Sequence, residues 1–203
     1  MTRVMKTALI VLGLMVGSEA AYAQDARPAT EGRAVVTIIP GGATFLMEGK
    51  NSSGPSFGNY ALGGSIVGNV NKYVGIEGEV TGSIGVSQEL TGFTDNVRTP
   101  HMLSYSGNVV VSIPNRSAFV PYVSGGVGGT SVFETADLGI NATTTFLTGN
   151  VGGGLKWYAG RWGLRADYRF IAVQGKDDAP EFFGTENRFA HRIYGGVLLN
   201  FGR

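Results

Sequence analysis

Acidic and basic side chains recur at every second position in two segments of this 203-residue chain. One segment contains Glu77 and Glu79, and the other contains Arg165, Asp167 and Arg169. Side chains two residues apart on a β-strand project from the same face. Two facing strands would therefore bring carboxylates and guanidinium groups together as ion pairs. The predicted charge network consists of Glu77, Glu79, Lys156, Arg165, Asp167, Arg169 and Arg192.

Catalytic chemistry has few candidates in the sequence. The chain has no cysteine and two histidines, His101 and His191. A hydrolase needs a nucleophile, a base and an orienting acid within hydrogen-bond reach. Ser104 is the nearest candidate nucleophile, but residues three apart on a strand point to opposite faces. We therefore predict that the protein is not an enzyme and that both histidines lie at the tops of strands, near the outer end of the fold.

The sequence predicts no metal, cofactor or nucleic-acid site. Asp177, Asp178, Glu181 and Glu186 could collect calcium, but the regular spacing of a calcium loop is missing. The glycine-rich segment 125–129 has no following helix, so it does not indicate a phosphate cradle. A net charge of +1 gives no support to nucleic-acid binding, which needs a clustered basic surface.

The elements that must position these residues are β-strands. From Arg33 onward the hydrophobic pattern has a period of two, and no segment keeps a helical period. Residues 73–86 are the clearest case, with apolar side chains on one face and the two glutamates on the other. Pro40-Gly41-Gly42 interrupts the first strand and is typical of a bulge or bend. Eight strands are predicted, at 33–46, 59–70, 73–87, 101–113, 119–133, 146–159, 162–175 and 190–202.

The connections between these strands alternate in length. The long ones are 47–58, 88–100, 134–145 and 176–189, and the short ones are 71–72, 114–118 and 160–161. Outer-membrane barrels have short periplasmic turns and longer external loops. The sequence therefore predicts an all-β fold, an eight-stranded antiparallel up-and-down transmembrane β-barrel with both ends in the periplasm.

A soluble lipocalin-like barrel, with apolar residues inside, is the alternative fold. The membrane barrel is favoured because the polar strand faces carry mostly Gly, Ser, Thr and Asn, whereas a soluble exterior is richer in Lys and Glu. Aromatic residues also cluster beside the short turns, which is typical of a girdle at the membrane interface. These aromatic residues are Tyr73, Phe119, Tyr122, Trp157, Tyr158, Trp162 and Phe201.

The N-terminus has the three parts of a secretory signal peptide. Arg3 and Lys6 precede the apolar run 8–16, which is too short to span a bilayer. Ala21-Tyr22-Ala23 then supplies the small residues of a cleavage site. We therefore expect a signal peptide at 1–23, cleaved after Ala23, a polar and flexible periplasmic lead at 24–32, and an outer-membrane barrel domain at 33–203.

Three segments carry a resemblance to a known family. Segments 121–128 (Pro-Tyr-Val-Ser-Gly-Gly-Val-Gly) and 163–170 (Gly-Leu-Arg-Ala-Asp-Tyr-Arg-Phe) resemble strands of OmpA/OmpX-type, opacity-like small outer-membrane barrels. The segment that starts at Tyr194 is similar to their C-terminal insertion signal, with Gly196 five places and Leu199 two places before Phe201. The signal usually ends on the aromatic residue, whereas here two residues follow it. The resemblance implies the barrel fold, a Gram-negative outer-membrane location and the barrel-assembly machinery as a partner.

An eight-stranded barrel leaves an interior just wide enough for side chains to fill. The third and seventh strands lie opposite each other, so Glu77 is expected to face Arg165 and Glu79 to face Arg169. We interpret this network as a structural plug, with a gated proton or ion path as the alternative.

The leading functional hypothesis is a non-enzymatic, monomeric protein with a structural or surface-interaction (adhesion-like) role. Its expected contacts are outer-membrane lipids, lipopolysaccharide and an extracellular partner at the loops. Two other functions stay open. One is a narrow pore or transporter for small solutes or ions, and the other is a lipid A-modifying enzyme, although the local His-x-Ser pair of lipid A deacylase barrels is absent from this sequence.

Overall fold

The alternating sequence folds into a closed antiparallel sheet. The computed structural model describes residues 31–47, 56–90, 92–138, 140–176 and 186–202. The barrel strands are β1 (Ala34–Leu46), β2 (Phe57–Asn69), β3 (Val74–Ile84), β6 (Met102–Ser112), β7 (Phe119–Val132), β8 (Thr144–Ala159), β9 (Trp162–Val173) and β10 (Arg188–Phe201). Each strand pairs with the next along the barrel, and β1 pairs with β10 to close the ring. The predicted eight-stranded up-and-down barrel is therefore confirmed.

The predicted third strand ends too late. The structure ends β3 at Ile84, and the ladder is interrupted where Gly85 lies against the backbone of Thr99. A Cβ on Gly85 would lie 1.8 Å from the Thr99 carbonyl oxygen, so this close approach requires glycine. The residues that follow form a separate two-stranded ladder in the loop, β4 (Ser87–Gln88) paired with β5 (Val97–Arg98).

The predicted interruption of the first strand is a β-bulge. The register of β1 shifts between Ile38 and Gly41 against β10, and between Ile39 and Gly42 against β2. The Tyr60 hydroxyl donates a hydrogen bond of 2.6 Å to the carbonyl of Pro40. A Cβ on Gly41 would lie 2.5 Å from that hydroxyl oxygen, so the bulge needs glycine there to admit the tyrosine.

Around the middle of the barrel, the two faces of the sheet have opposite polarity. Carboxylates, guanidinium groups, amides and hydroxyls are buried inside, whereas the outward face is apolar. This arrangement is the reverse of a lipocalin-like barrel and is the one that lipid requires. Within the strands, the aliphatic side chains that are more than half exposed are Ile38, Ile66, Ile76, Val80, Val123, Val127, Leu147, Val151 and Leu164.

Two of the aromatic residues assigned to the girdle face the lumen instead. Phe119 and Trp162 are 48% and 60% exposed, whereas Tyr122 and Tyr158 are 2% and 5% exposed. Strand parity explains the difference, since Tyr122 is an odd number of residues from Phe119 and lies on the other face of β7. Inside the barrel, the phenol groups find polar partners that lipid cannot supply.

No helix among the described residues has the length and apolar content needed to cross a membrane. The one short helical element in those residues is a 3-10 turn at Ala136–Leu138, in the connection between β7 and β8.

Candidate functional site

The lumen of the barrel brings the predicted charges together. In the circular strand order, β3 and β9 are separated by three strands on either side, so they form opposite walls. Glu77 and Glu79 project inward from β3, and Arg165, Asp167 and Arg169 project inward from β9. All five residues are at most 3% exposed. The alternation of the two strands therefore aims both sets of charges at the barrel axis.

Glu77 lies at the centre of this network and bridges two arginines. Its Oε2 is 2.5 Å from Nη1 of Arg165, and its Oε1 is 2.5 Å from Nη2 of Arg169. Asp167 lies between the same two guanidinium groups, at 2.7 Å from Arg165 and 3.1 Å from Arg169. Glu79 is 3.2 Å from Arg169. The pairing is thus shared among the charges, rather than the one-to-one arrangement expected from strand height alone.

Hydroxyl and amide groups complete the coordination of these charges. Tyr122 accepts a hydrogen bond of 2.7 Å from Nε of Arg165 and donates a short one to Asp167. Asn108 donates to Oε1 of Glu77 at 3.0 Å, and Ser65 donates to its Oε2 at 3.3 Å. Sequence reasoning missed these polar partners. Strand parity would have found them, because each lies on the inward face of its strand.

Arg192 and Tyr194 extend the network on β10. Arg192 lies 3.2 Å from Oε1 of Glu79, and the Tyr194 hydroxyl donates to Oε2 of Glu79 at 2.9 Å. Nε of Arg192 also donates to the Thr44 hydroxyl at 3.2 Å. The side chain of Tyr194 is 3% exposed and lies in the lumen. Its assignment to the insertion signal stays a prediction.

Lys156 lies apart from the central network, at the periplasmic end. Its Nζ donates to Oε1 of Glu31 at 2.7 Å, and the same carboxylate accepts hydrogen bonds from Tyr158 at 2.7 Å and Ser112 at 2.8 Å. Burial raises the pKa of Glu31, but the charge of Lys156 and these hydrogen bonds outweigh burial and hold the pKa below its usual value. Glu31 belongs to the segment expected to be a flexible lead.

Residues 31 and 32 lie against the barrel. The Gly32 amide donates to Oδ1 of Asn200 at 2.6 Å, and Asn69 donates to the Gly32 carbonyl at 2.7 Å. The physical reason is Lys156, which is 0% exposed and would otherwise carry an unpaired charge inside the barrel. The other residues of the expected lead, 24–30, lie outside the described part of the chain.

In the periplasmic half and the middle of the lumen, the buried charges of the described residues balance. The carboxylates of Glu31, Glu77, Glu79 and Asp167 match the four cations of Lys156, Arg165, Arg169 and Arg192. Removing one partner of a buried ion pair typically costs about 3–5 kcal/mol, because the other charge is left uncompensated. The balance therefore makes the network stable as a unit and sensitive to single substitutions.

In the extracellular half of the lumen, the described residues form a cluster of buried apolar side chains, and Arg188 is also buried at this end, where it donates to the Met47 carbonyl. Two connections supply part of this cluster, and we call them L2 (85–101) and L3 (133–143). Leu90 and Val97 of L2 and Ile140 of L3 are at most 6% exposed and pack against inward residues of the surrounding strands. We call this cluster the apolar cap, which consists of Leu46, Phe57, Leu90, Val97, Met102, Val132, Ile140, Phe146, Ile171, Val173 and Ala190.

Hydrogen bonds hold L2 over the mouth of the barrel. Gln88 exchanges two hydrogen bonds with the backbone of Gly58, at 2.8 Å and 3.2 Å. Asn59 donates to the Pro100 carbonyl at 2.9 Å and accepts from the Thr99 hydroxyl at 2.6 Å. L3 is linked to L2 through the Arg98 amide, which donates to Asp137 at 3.1 Å. L2 is therefore tied both to β2 and to L3 at the mouth of the barrel.

A small cavity of about 20 Å³ lies between the charge network and the apolar cap. It is lined by the hydroxyls of Ser104, Ser106, Thr130 and Thr148 and by Asn150, above Arg169 and Arg192. A water molecule needs roughly 10–15 Å³, so the cavity has room for one.

The candidate catalytic residues are kept apart. Ser104 faces the lumen and pairs with Thr130 at 2.9 Å, whereas His101 is exposed and its Nδ1 accepts from the Gly85 amide at 3.2 Å. His191 lies on the outward face, 2.6 Å from the Tyr168 hydroxyl. The described residues contain no group of three or more His, Cys, Asp or Glu placed to hold a metal ion. Of the acidic loop, residues 177–185 lie outside that description.

The remaining residues of the predicted insertion signal lie at the periplasmic end of β10. Gly196 faces inward, and a Cβ there would lie 2.6 Å from a methyl carbon of Thr37. Leu199 lies on the other strand face, together with Phe201, which is 41% exposed. That this segment directs assembly stays a prediction.

Comparisons with known proteins agree with this geometry. Residues 9–201 match the family model described as the outer membrane protein beta-barrel domain. Neisserial surface protein A (NspA) shares 16% identity with a TM-score of 0.61, over 84% of this chain and 98% of that one. OprG of Pseudomonas aeruginosa shares 14% identity with a TM-score of 0.51, over 86% and 99%.

A third similar structure is that of Ail, the attachment invasion locus protein of Yersinia pestis, in complex with the heparin analogue sucrose octasulfate. It shares 15% identity with a TM-score of 0.50, over 83% of this chain and 99% of that one. At these identities the likeness shows the fold alone. A search of curated protein sequences finds no significant match.

Proposed function

The chain belongs to the outer membrane protein beta-barrel domain family and is located in the bacterial outer membrane, and within this family we propose that it is a closed, non-enzymatic barrel that acts through its extracellular loops. In this role the lumen holds the scaffold rigid, and the loops make surface contacts of an adhesion-like kind. Loops on a rigid scaffold are common sites of recognition.

The observation that carries this proposal is the filled lumen. Glu31 and Lys156 occupy the periplasmic end, the charge network around Glu77 crosses the middle, and the apolar cap fills the extracellular half. Passage of a solute would require breaking buried ion pairs and moving L2 and L3. The arrangement therefore supports a plug over the narrow pore that the sequence left open.

The lipid A-modifying enzyme has no support from the described residues. The two histidines lie outside the lumen, and neither has a serine and a carboxylate within hydrogen-bond reach. The fold family and the separation of these groups support a non-enzymatic role.

The surface of L2 and L3 suggests what such loops would contact. Glu89, Asp95, Glu134 and Asp137 are exposed, as are the rings of Phe93 and Phe133 at 43% and 39%. The four long connections, taken as 47–56, 85–101, 133–143 and 174–187, together hold nine carboxylates and three basic residues, which leaves six negative charges. A partner with basic and apolar groups fits this surface. A sulfated polyanion of the kind present in the Ail structure would meet like charge.

Two measurements test the proposal on the full-length protein. In planar bilayers, we expect no stepwise conductance, and steady single-channel openings would support the pore instead. On cells that display the protein, we expect a fluorescent peptide rich in arginine and tryptophan to bind more than labelled heparin does. The loop variant E89Q/D95Q/E134Q/D137Q removes these four exposed carboxylates and should lose peptide binding. Equal peptide binding by this variant would contradict the proposed loop contact.

A further inference from the structure

The periplasmic end of the barrel carries the opposite charge to the loops. Arg33 precedes β1, Lys72 lies in the turn between β2 and β3, Arg116 in the turn between β6 and β7, and Arg161 in the turn between β8 and β9. All four side chains are exposed. Among the described residues at this end, the acid is Glu31, which is committed to Lys156 inside the lumen. We call these four residues the basic ring.

The four cations are spread around the barrel rather than gathered at one point. Around the ring, the periplasmic turns β2–β3, β6–β7 and β8–β9 lie at every second boundary between neighbouring strands. Arg33 lies at the fourth such boundary, where β1 meets β10. Each quarter of the rim therefore presents one positive charge. This distribution does not fit a compact acidic ligand, but it fits a partner that surrounds the barrel.

Contacts with aromatic rings hold two of these cations at the periplasmic rim. Nζ of Lys72 lies 4.8 Å from the centroid of Tyr73, which is 50% exposed in the turn before β3. The guanidinium of Arg161 lies 5.9 Å from the centroid of Phe201, which is 41% exposed on the outward face. Aromatic residues of outer-membrane barrels form girdles at the membrane interfaces, at the level of the lipid headgroups. Arg161, beside such a lipid-facing ring, is thus held at the depth of the lipid phosphates.

From these observations we propose that the basic ring binds the headgroups of anionic glycerophospholipids in the periplasmic leaflet. The phosphodiester oxygens would accept charge-assisted hydrogen bonds from the ring, while the aromatic side chains fix the depth. Because the loops are acidic, the same lipids are not attracted at the other end. The protein therefore carries a charge difference along its axis that matches a phospholipid surface on one side only.

Lipid selectivity can be measured directly with spin-labelled lipids. The full-length protein is reconstituted in phosphatidylcholine, and the association of spin-labelled phosphatidylglycerol and phosphatidylcholine with the barrel is compared. A basic residue near an anionic surface favours it by about fivefold, and most boundary lipids touch none of the four cations, so we expect an averaged preference of about two- to threefold. It should fall toward one in roughly 1 M salt, where the screening length is about 3 Å.

Substitutions test whether the basic ring, rather than basic residues elsewhere on the barrel, causes the lipid preference. We expect R33Q/K72Q/R116Q/R161Q to lose the preference, and the charge-conserving R33K/R116K/R161K to keep it. The matched control R98Q/K176Q changes basic residues of the extracellular connections and should also keep it. A heat-dependent shift in gel mobility checks that each barrel is folded, and K72Q/R116Q replaces the fourfold variant if that one fails to fold. An unchanged preference in the ring variants, or its loss in R98Q/K176Q, would overturn the proposal.

Discussion

The two halves of the lumen are surrounded by the same strands but are filled by different means. In the periplasmic half and the middle, strand side chains form ion pairs with one another, and Glu31 is the described contributor from outside the sheet. In the extracellular half, L2 and L3 deliver Leu90, Val97 and Ile140 into the barrel. The first filling depends on charge balance, and the second depends on loop conformation.

This difference implies that the two halves respond differently to change. A charge removed from the network leaves its partner buried and uncompensated, because rigid strands cannot move it toward water. An apolar side chain removed from the cap leaves a cavity that a loop is able to close in part. The network should therefore control global stability, and the cap should control how tightly the mouth is closed.

The largest effect is expected from Arg165→Ala. Arg165 contacts Glu77 at 2.5 Å and Asp167 at 2.7 Å, and its loss leaves the network with one excess negative charge. We expect the free energy of unfolding in urea, measured in lipid vesicles, to fall by about 3–5 kcal/mol. The double variant Glu77→Ala/Arg165→Ala restores the balance and should be more stable than Arg165→Ala alone. Effects that add within about 0.5 kcal/mol would show that the charges act independently.

A smaller, pH-dependent effect is expected from Glu31→Gln. The substitution removes the charge that faces Lys156, and a buried hydrogen bond to a charged group contributes about 1.5–3 kcal/mol. The pKa of Glu31 is lowered in the folded state. The Glu31 carboxylate therefore stabilises the folded barrel fully above the ordinary glutamate pKa of about 4.3, and this contribution is lost as the pH falls through the lowered value. The stability difference between the wild type and the variant should therefore shrink in acid. A constant difference from neutral pH to pH ~3 would contradict this account.

Leu90→Ala should affect the mouth more than the barrel. Leu90 is 4% exposed in the apolar cap, and a buried Leu→Ala substitution costs about 2–5 kcal/mol, with the lower end applying where the structure relaxes. We expect faster hydrogen exchange and proteolysis in L2 and little change in the exchange of β9. Leu103→Ala, on the lipid face at 38% exposure, is the control. Destabilisation spread equally over all strands would remove the distinction between the two halves.

The central network was predictable because a period of two fixes which face a residue takes and because the circular strand order sets β3 opposite β9. The same parity, applied to Tyr122 and Tyr158, would have placed them inside, but their residue type suggested the girdle. The position of Glu31 inside the barrel could not be predicted, since a residue that precedes the first strand is not part of an alternating pattern. The apolar cap was equally hidden, because the contacts of Leu90 and Ile140 depend on loop conformations that no local pattern specifies.

The smallest effect is expected from Thr99→Val, which tests how L2 is held. The Thr99 hydroxyl donates to Oδ1 of Asn59 at 2.6 Å and accepts from the Val86 amide at 3.0 Å, and valine keeps the shape without either hydrogen bond. A hydrogen bond contributes about 0.5–1.5 kcal/mol, so we expect L2 to open more often while the free energy of unfolding of the barrel changes by less than about 1 kcal/mol. Hydrogen exchange at Val86, compared with an amide in the middle of β9, measures this opening. Because Asn59 would be left with an unsatisfied buried oxygen, Asn59→Ala/Thr99→Val should loosen L2 by less than the sum of the single substitutions. Additive loosening would mean that L2 is held by the packing of the apolar cap alone.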